Sequence, residues 1–381
     1  MNLQGRILNF TDERYMDLAI SEAEKSRGLC SPNPFVGAIL VKDGSIIAKG
    51  RTQAYGKDHA EVDALKKAGN QALGATMYVS LEPCCHFGKT PPCTQAIIKA
   101  GIKKVVAGIT DPNPRVAGKG FAELRQAGIE VVQGVREDKI RRQNEAFLCY
   151  IQNKRPFIIW KSALSWDGKY AASDGSSQWI TNEKARNLVH TYRAASDAVL
   201  AGIRSVHVDD AMLNARGIRG AKQALRVVLD PQLDLDPGSR FAQSAMQYPS
   251  LVFHQAHMPD KQKRLNQMGI DTIRVAGNPE AVDLDEVLRH LYQLQISTLL
   301  LEAGSQLSES FFRKRLVDKC LLFLGNKILG GERAMLSGLK LPSIDKAINL
   351  LDVQVKQLEG NILLIGYPEW QGFCEGATAP Q

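Results

Sequence analysis

The chain has 381 residues, more than the ~100–200 typical of one domain, so two domains with a core each are expected. With 44% hydrophobic residues and 23% charged residues of both signs, it lies outside the disordered and collagen-like classes, and no apolar run approaches the ~18 residues of a membrane span. The net charge of +8 favours anionic partners, either phosphate-bearing small molecules or nucleic acid.

From Thr11 to Gly28 the text TDERYMDLAISEAEKSRG predicts a helix: Thr11 caps it, Tyr15, Leu18, Ala19 and Ala23 recur at helical spacing, and Gly28 stops it. VGAILV and SIIAKG follow as the strands of a hairpin, with Asp43-Gly44 supplying the turn after Lys42. Then HAEVDALKKAG, ATMYVSL, CTQAIIKAG, KKVVAGI, KGFAELRQAG and IEVVQGV alternate helix and strand, which predicts helices packed on a mainly parallel sheet. REDKIRRQNEAFLCYIQ reads as one amphipathic segment, and Arg136 to Arg142 as an exposed helix face. The polar residues that end this segment before Pro156 mark a change of domain, giving a first domain over 1–150 and a second over 151–381.

The second domain opens on the strand PFIIWKSALS and continues with DAVLAG, LRVVLD, LVFH, IDTIRV and STLLLE as further strands. DVQVKQL and NILLIGY around Glu359-Gly360 predict an antiparallel hairpin, which makes the second sheet mixed. The Gly, Ala and Pro-rich end from 371 to 381 is expected to fray. The start MNLQGRILNFTDERYM lacks the basic and then apolar pattern of a secretory signal, so a cytoplasmic location is expected and the Asn9-Phe10-Thr11 glycosylation match is read as chance. Seven unevenly spaced cysteines in such a chain argue against a disulfide framework.

Three of those cysteines cluster. His59-Ala60-Glu61 opens a helix, and after a strand ending at Leu81-Glu82 comes Pro83-Cys84-Cys85-His86-Phe87-Gly88-Lys89-Thr90-Pro91-Pro92-Cys93. One His and two thiolates, His59, Cys84 and Cys93, are the ligand set of a catalytic zinc, whose fourth position is left for water. Glu61, two residues from His59, stands where it reaches that water without being a ligand, and is the expected proton carrier. His-x-Glu followed by Pro-Cys and a second Cys is the pattern of zinc nucleobase deaminases. It is stretched here, with eight residues between Cys84 and Cys93 instead of two. Cys84 directly follows Pro83 and is taken as the ligand, with Cys85 as a neighbour and His86 as a substrate-side or surface histidine.

PNPFVGAILVKDG, HAEVDAL, LEPCCHFGKTPPC and DPNPRVAGKG resemble the deaminase half of the bifunctional riboflavin biosynthesis deaminase/reductase family. The resemblance implies an α/β chain whose first domain is a three-layer, cytidine-deaminase-like unit with zinc on His59, Cys84 and Cys93 and Glu61 as shuttle. It also implies Asn33, Lys89, Thr90 and Asn113 as contacts of a phosphoribosyl pyrimidine. Family members usually carry Ser at Cys85 and often His at Phe87.

The second half has no G-x-G-x-x-G, so an ordinary dinucleotide fold has no support. A strand ending at Glu302, then Gly304-Ser305 and a helix, is a turn suited to pyrophosphate. KSALSWDGKYA, SQWIT, DAVLAGIRSVHVDDAMLNAR and LEAGSQLSESFF resemble the reductase half of the same family. That resemblance implies a dihydrofolate-reductase-like domain using NADPH. It assigns Ala163, Trp179, Ser205, Asp209 and the turn Gly304, Ser305, Gln306, Leu307, Ser308, Glu309 and Ser310 to the cofactor. Ser177, Arg193, Leu213, Arg216 and Glu302 go to the ribosylaminouracil phosphate, where arginines suit phosphate and Trp179 offers a ring face. Ala211, Ser205, Pro231 and Asn326 depart from the usual Pro, Thr, Ser and Pro. His207, Asp209 and Asp210 are read as alternate positions of an extended segment, and His254 and His257 as solvated.

These features predict deamination of a 2,5-diamino-6-ribosylamino-pyrimidinone 5′-phosphate in the first half and reduction of the product's ribosyl group to ribityl in the second. The runner-up is a deaminase of tRNA or another nucleic acid with an RNA-binding second domain. Against it stand the Pro-rich insertion and the lack of a Lys/Arg stripe or an interleaved aromatic platform. No nucleic-acid or membrane partner is expected, and exposed reductase-domain strands point to a homodimer.

Overall fold

The computed structural model describes residues 10–218, 220 and 222–370; Asn9, Cys374 and the segment 371–381 lie outside the described residues. Contacts divide the chain into two compact units, 1–155 and 156–381. The helix Glu145–Asn153 runs across the 150/151 boundary expected from sequence, and the division falls after Arg155.

Among the described residues the first unit is built on five strands, β1 (Gly37–Lys42), β2 (Ser45–Arg51), β3 (Thr76–Leu81), β4 (Lys104–Ile109) and β5 (Glu130–Val132), in the order β2-β1-β3-β4-β5. β1 is antiparallel to both neighbours, whereas β3, β4 and β5 run parallel. The predicted turn closes the β1–β2 hairpin with Asp43 and Gly44 both left-handed, φ 49° and 75°, as a two-residue turn of the primed type requires. Two glycines show how tightly the layers meet. A Cβ on Gly37 would fall 1.9 Å from the Ala19 carbonyl oxygen of helix Phe10–Glu24, and one on Gly50 would fall 2.2 Å from the Ala60 carbonyl oxygen of helix Ala60–Ala68. Helices therefore cover both faces, and the expected three layers are present. Backbone seated directly on β2 fixes the start of Ala60–Ala68, where His59 and Glu61 stand.

The segment read as one amphipathic stretch is two helices, Glu137–Gln143 and Glu145–Asn153, broken at Asn144. The buried Asn144 carboxamide accepts from Phe35 N at 2.8 Å and donates to Phe35 O at 3.0 Å. This polar tie between distant segments is invisible to periodicity. The face from Arg136 to Arg142 is also less free than expected, since Arg136 meets Glu13 and Asp17, and Lys139 meets Asp17.

Among the described residues the second unit carries nine strands: β6 (Phe157–Leu164), β7 (Ala198–Gly202), β8 (Leu225–Leu229), β9 (Ser250–His254), β10 (Ile270–Arg274), β11 (Thr298–Leu301), β12 (Lys319–Leu324), β13 (Leu350–Leu358) and β14 (Asn361–Pro368). Their order is β10-β9-β8-β7-β11-β6-β12-β14-β13, parallel from β10 to β12 and antiparallel at β14 and β13. The sheet is mixed, as predicted. β12, in the text KCLLFL, is a strand the sequence reading missed, because no turn residue separates that short apolar run from the helix before it. On one face Val287, Leu288 and Leu291 of helix Leu284–Gln293 pack with Phe311 and Phe312 of helix Ser305–Arg313 against strand residues. The chain leaves β6, builds β7 to β10 outward, and returns to insert β11 between β7 and β6. In open α/β sheets such a reversal, at the carboxyl ends of the strands, is where ligands bind.

Two local expectations fail here. Residues 203–209 form a helix, Ile203–Asp209, with Asp210 left-handed at its end, so His207, Asp209 and Asp210 do not share one side of an extended segment. His254 is fully buried at the end of β9, with Nδ1 2.9 Å from Ala256 O and Nε2 3.0 Å from Gln262 Nε2. His257 is exposed, as read. Among the described residues no cysteine forms a disulfide, and no helix is long and apolar enough to cross a membrane.

Candidate functional site

His59 caps helix Ala60–Ala68 with extended backbone, Cys84 lies in the loop after β3, and Cys93 opens helix Cys93–Lys99. Their donor atoms lie within 4.8 Å of one another. His59 Nδ1 is 3.6 Å from Cys84 Sγ and 3.4 Å from Cys93 Sγ. A tetrahedral zinc with bonds of about 2.0–2.1 Å to N and about 2.3 Å to S sets such donors about 3.6 Å apart. The trio fits that ion. Backbone bonds hold the frame: Cys93 N donates to Cys84 Sγ at 3.5 Å, and Thr94 N to Cys84 O at 3.2 Å. Cys85 points elsewhere, its thiol donating to Arg115 O at 3.8 Å.

Charge is concentrated in this cage. The thiol of Cys84 is held down to about 4, by Cys93 first and then by His59 against burial, while that of Cys93 is raised by Cys84 and by burial. Hydrogen bonding to Cys84 raises His59 to about 9. Glu61 is 4% exposed, and burial pushes its carboxyl up to about 7.

A second carboxylate, to which the sequence reading gave no role, shapes the neighbouring loop. Buried Glu82 accepts from Asp111 N and Gly118 N through Oε2, at 3.1 and 2.9 Å, and from Gly120 N and Phe121 N through Oε1, at 2.9 and 3.3 Å. The sequence signal for it is a lone acid at the end of an apolar strand. Asn113 lies on the loop that Glu82 organises, its side chain accepting from Arg115 N at 3.1 Å. Asn33 sits in the turn closed by its own N–H to Cys30 O. Lys89 is exposed with its ammonium 3.9 Å from the Tyr55 ring centroid, and Thr90 is partly buried, its carbonyl accepting from Gly88 N.

In the second unit several of the predicted residues stand at the carboxyl ends of β6, β7 and β11. Ala163 is near the end of β6, Ser205 and Asp209 lie on the helix after β7, and Glu302 and Gly304 follow β11. Ser177 Oγ donates to Asp209 Oδ1 at 3.4 Å, bringing one residue assigned to substrate beside one assigned to cofactor. Trp179 is 56% exposed, with the Arg186 guanidinium 4.4 Å from its ring.

The Gly304 to Ser310 stretch is not uniform. Gly304 and Gln306 are exposed and Leu307 is partly buried. Ser308 is turned into the core, accepting from Trp160 Nε1 at 2.9 Å and donating to Ala303 O at 3.1 Å. Ser305 donates to Glu309 at 2.8 Å and accepts from Leu336 N, while Glu309 also accepts from Gly338 N. Ser310 donates to Gln306 O.

Arg193 and Glu302 meet each other. Arg193 Nε and Nη2 donate to the two Glu302 oxygens at 2.6 and 2.9 Å, and Nη1 to Asn214 O at 3.0 Å. Lys161 reaches Glu302 at 3.5 Å. Burial alone would raise the Glu302 carboxyl, yet Arg193 and Lys161 hold it down to about 2. Leu213 is buried with φ 54°, and Arg216 is exposed.

Comparison with known proteins matches both units. The family model "RibD C-terminal domain" covers residues 156–364, and "Cytidine and deoxycytidylate deaminase zinc-binding region" covers 10–109. Riboflavin biosynthesis protein RibD of Aquifex aeolicus is 40% identical over 353 residues, 93% of this chain and 97% of that protein. Its Escherichia coli counterpart is 36% identical, over 91% of this chain and 96% of that one. Among solved structures, Acinetobacter baumannii RibD superposes with TM-score 0.86 at 35% identity, covering 94% of this chain and 99% of that one. A diaminohydroxyphosphoribosylaminopyrimidine deaminase/5-amino-6-(5-phosphoribosylamino)uracil reductase from Thermotoga maritima gives 0.81 at 34% identity, with the same coverage.

Proposed function

Because the chain belongs to the RibD family of bifunctional riboflavin biosynthesis proteins, with a zinc-binding deaminase region followed by a reductase domain, we propose that it hydrolytically deaminates 2,5-diamino-6-ribosylamino-4(3H)-pyrimidinone 5′-phosphate. It then reduces the ribosyl group of the resulting 5-amino-6-(5-phosphoribosylamino)uracil to ribityl, using NADPH. The observation that carries the first step is the convergence of His59, Cys84 and Cys93 beside buried Glu61. Zinc held by those three residues supplies Lewis-acid activation of water near neutral pH. Glu61 would accept a proton from the attacking water and return it to the departing amine, which would leave as ammonia.

For the second step, NADPH supplies the hydride. The protein contributes orientation and charge: Ala163, Trp179, Ser205, Asp209 and the N–H groups at the start of Ser305–Arg313 line the cofactor side, where a helix N-terminus favours a pyrophosphate. Arg216 supplies a positive charge to the substrate phosphate. The deciding experiment is NADPH oxidation that depends on the diaminopyrimidine substrate. Purified protein that binds zinc and deaminates a nucleic acid, with no NADPH turnover, would return the RNA-linked reading.

Two further expectations attach to this assignment. Cys84→Ser should lose the metal, and Cys85→Ser should keep it, by metal content of the purified variants; the reverse pattern would reassign the ligand. The chain should also form a homodimer through β13, the edge of the second sheet, where Leu350, Leu351, Val353 and Val355 are 45 to 62% exposed. An exposed apolar edge strand is normally covered. Val353→Lys with Val355→Lys should sediment as a monomer, and a dimer that survived them would place the interface elsewhere. A cytoplasmic enzyme keeps its thiolate ligands reduced, and we place this one there.

A further inference from the structure

Residues 211–216 have no regular secondary structure, and a segment of that kind is ordinarily mobile unless other groups hold it. Here four side chains from outside hold the backbone at four residues. Arg226 Nη1 donates to Met212 O at 3.1 Å, and Arg193 Nη1 to Asn214 O at 3.0 Å. The Gln223 carboxamide pairs with Ala215 as a second backbone would, accepting from its N–H and donating to its carbonyl, both at 3.0 Å. Arg216 N donates to His190 Nδ1 at 3.3 Å. Between the first two points Leu213 is buried in left-handed backbone, φ 54°.

One of these anchors is unusual in itself. Arg226 is fully buried on β8, and its guanidinium meets only neutral groups among the described residues: the Ser244 and Ser250 hydroxyls, the Met212, Phe241 and Tyr248 carbonyls, and the Phe241 and Tyr248 rings. Burying such a charge without an anion is costly, so it persists only where its hydrogen bonds are complete. The result is a rigid tie between β8, helix Arg240–Gln243 and the start of the segment. At the far end the Arg216 guanidinium is exposed, and partial burial, followed by the nearby Arg193 and Arg240, lowers its proton affinity. The end of the segment therefore presents the Arg216 charge on a backbone with little freedom left to lose.

We infer that Gln223 and His190 are positioning residues of the reductase, which hold the backbone of Ala215 and Arg216 so that the Arg216 guanidinium is pre-set for the phosphate of the substrate. This rests on the assignment of Arg216 to that phosphate. Preorganisation of this kind lowers the entropy cost of binding, and because phosphate is remote from the hydride acceptor it should act on affinity more than on turnover.

The test uses the full-length protein, with 5-amino-6-(5-phosphoribosylamino)uracil and its dephosphorylated counterpart as reductase substrates. Gln223→Leu should raise the Michaelis constant for the phosphorylated compound about tenfold, leave kcat within about twofold, and leave the dephosphorylated compound unaffected. Gln223→Glu, which keeps the acceptor for Ala215 N, should fall between wild type and Gln223→Leu, and His190→Ala should repeat the same split. Combined with Arg216→Ala, Gln223→Leu should add no further loss, since it works through Arg216. Equal losses on both substrates, a fall confined to kcat, or full additivity with Arg216→Ala would overturn the inference. Arg216→Ala alone checks the underlying assignment: if it fails to discriminate between the two substrates, the phosphate assignment falls, whatever Gln223→Leu does.

Discussion

Glu61→Gln is expected to stop deamination, lowering kcat by about 10²–10⁴-fold, while reduction of the deaminated compound and metal content both stay at wild-type levels. Glutamine has the size of the glutamate it replaces, so the 4%-exposed position at the start of Ala60–Ala68 remains filled. What is lost is a group that can accept a proton and release it again. The metal should stay because the convergent donors are His59 Nδ1 and the two sulfurs, and Glu61 is not one of them. The second unit, with its own sheet and its own compact set of contacts, should not register the change. Assaying the two half-reactions separately, each with its own substrate, makes the comparison direct. A parallel fall of both activities in folded, zinc-loaded protein would show that two independent sites is the wrong description.

That prediction could be framed from sequence because the deaminase chemistry is written in short stretches. His59 and Glu61 are two residues apart, and Cys84 and Cys93 flank one loop, so residue type and local context already point to the roles proposed for them. The hairpin turn at Asp43-Gly44 was legible for the same reason, since the left-handed conformations at both positions are a local property. What escaped was decided by distant partners. Asn144 breaks a helical pattern because it bonds to Phe35, 109 residues away. His254 is buried because β9 is an interior strand, a fact of strand order and not of the text around it. The helix Ile203–Asp209 is seven residues long, too short for its period to stand out against an extended reading. Glu82 gave no signal beyond its place at a strand end, since its four partners are backbone N–H groups between Asp111 and Phe121.

The Arg193–Glu302 pair joins residues 109 apart in sequence, and it changes what the removal of Arg193 should do. Sequence reasoning treats Arg193 as a phosphate ligand, whose loss would weaken substrate binding. In the structure its fork already lies on the Glu302 carboxylate, with both side chains close to nine-tenths buried. Removing one member of such a pair leaves a buried charge without its main partner and costs about 3–5 kcal/mol. For a domain of this size that corresponds to a melting temperature lower by roughly 10 °C. Arg193→Ala should therefore appear first as a less stable reductase unit, by calorimetry.

The pH dependence distinguishes this from a binding effect. Glu302 has a folded value of about 2 against an ordinary 4.5. A carboxyl depressed on folding contributes stability that is fully present above its unfolded value and is lost as pH falls toward its folded one. The gap in melting temperature between wild type and Arg193→Ala should be widest at neutral pH and narrow as pH falls from about 4.5 toward 2. Glu302→Gln, which cannot ionise, should lack this titration altogether. An unchanged melting temperature, combined with a higher Michaelis constant for the phosphorylated substrate, would mean that Arg193 serves phosphate first and Glu302 only as its resting partner.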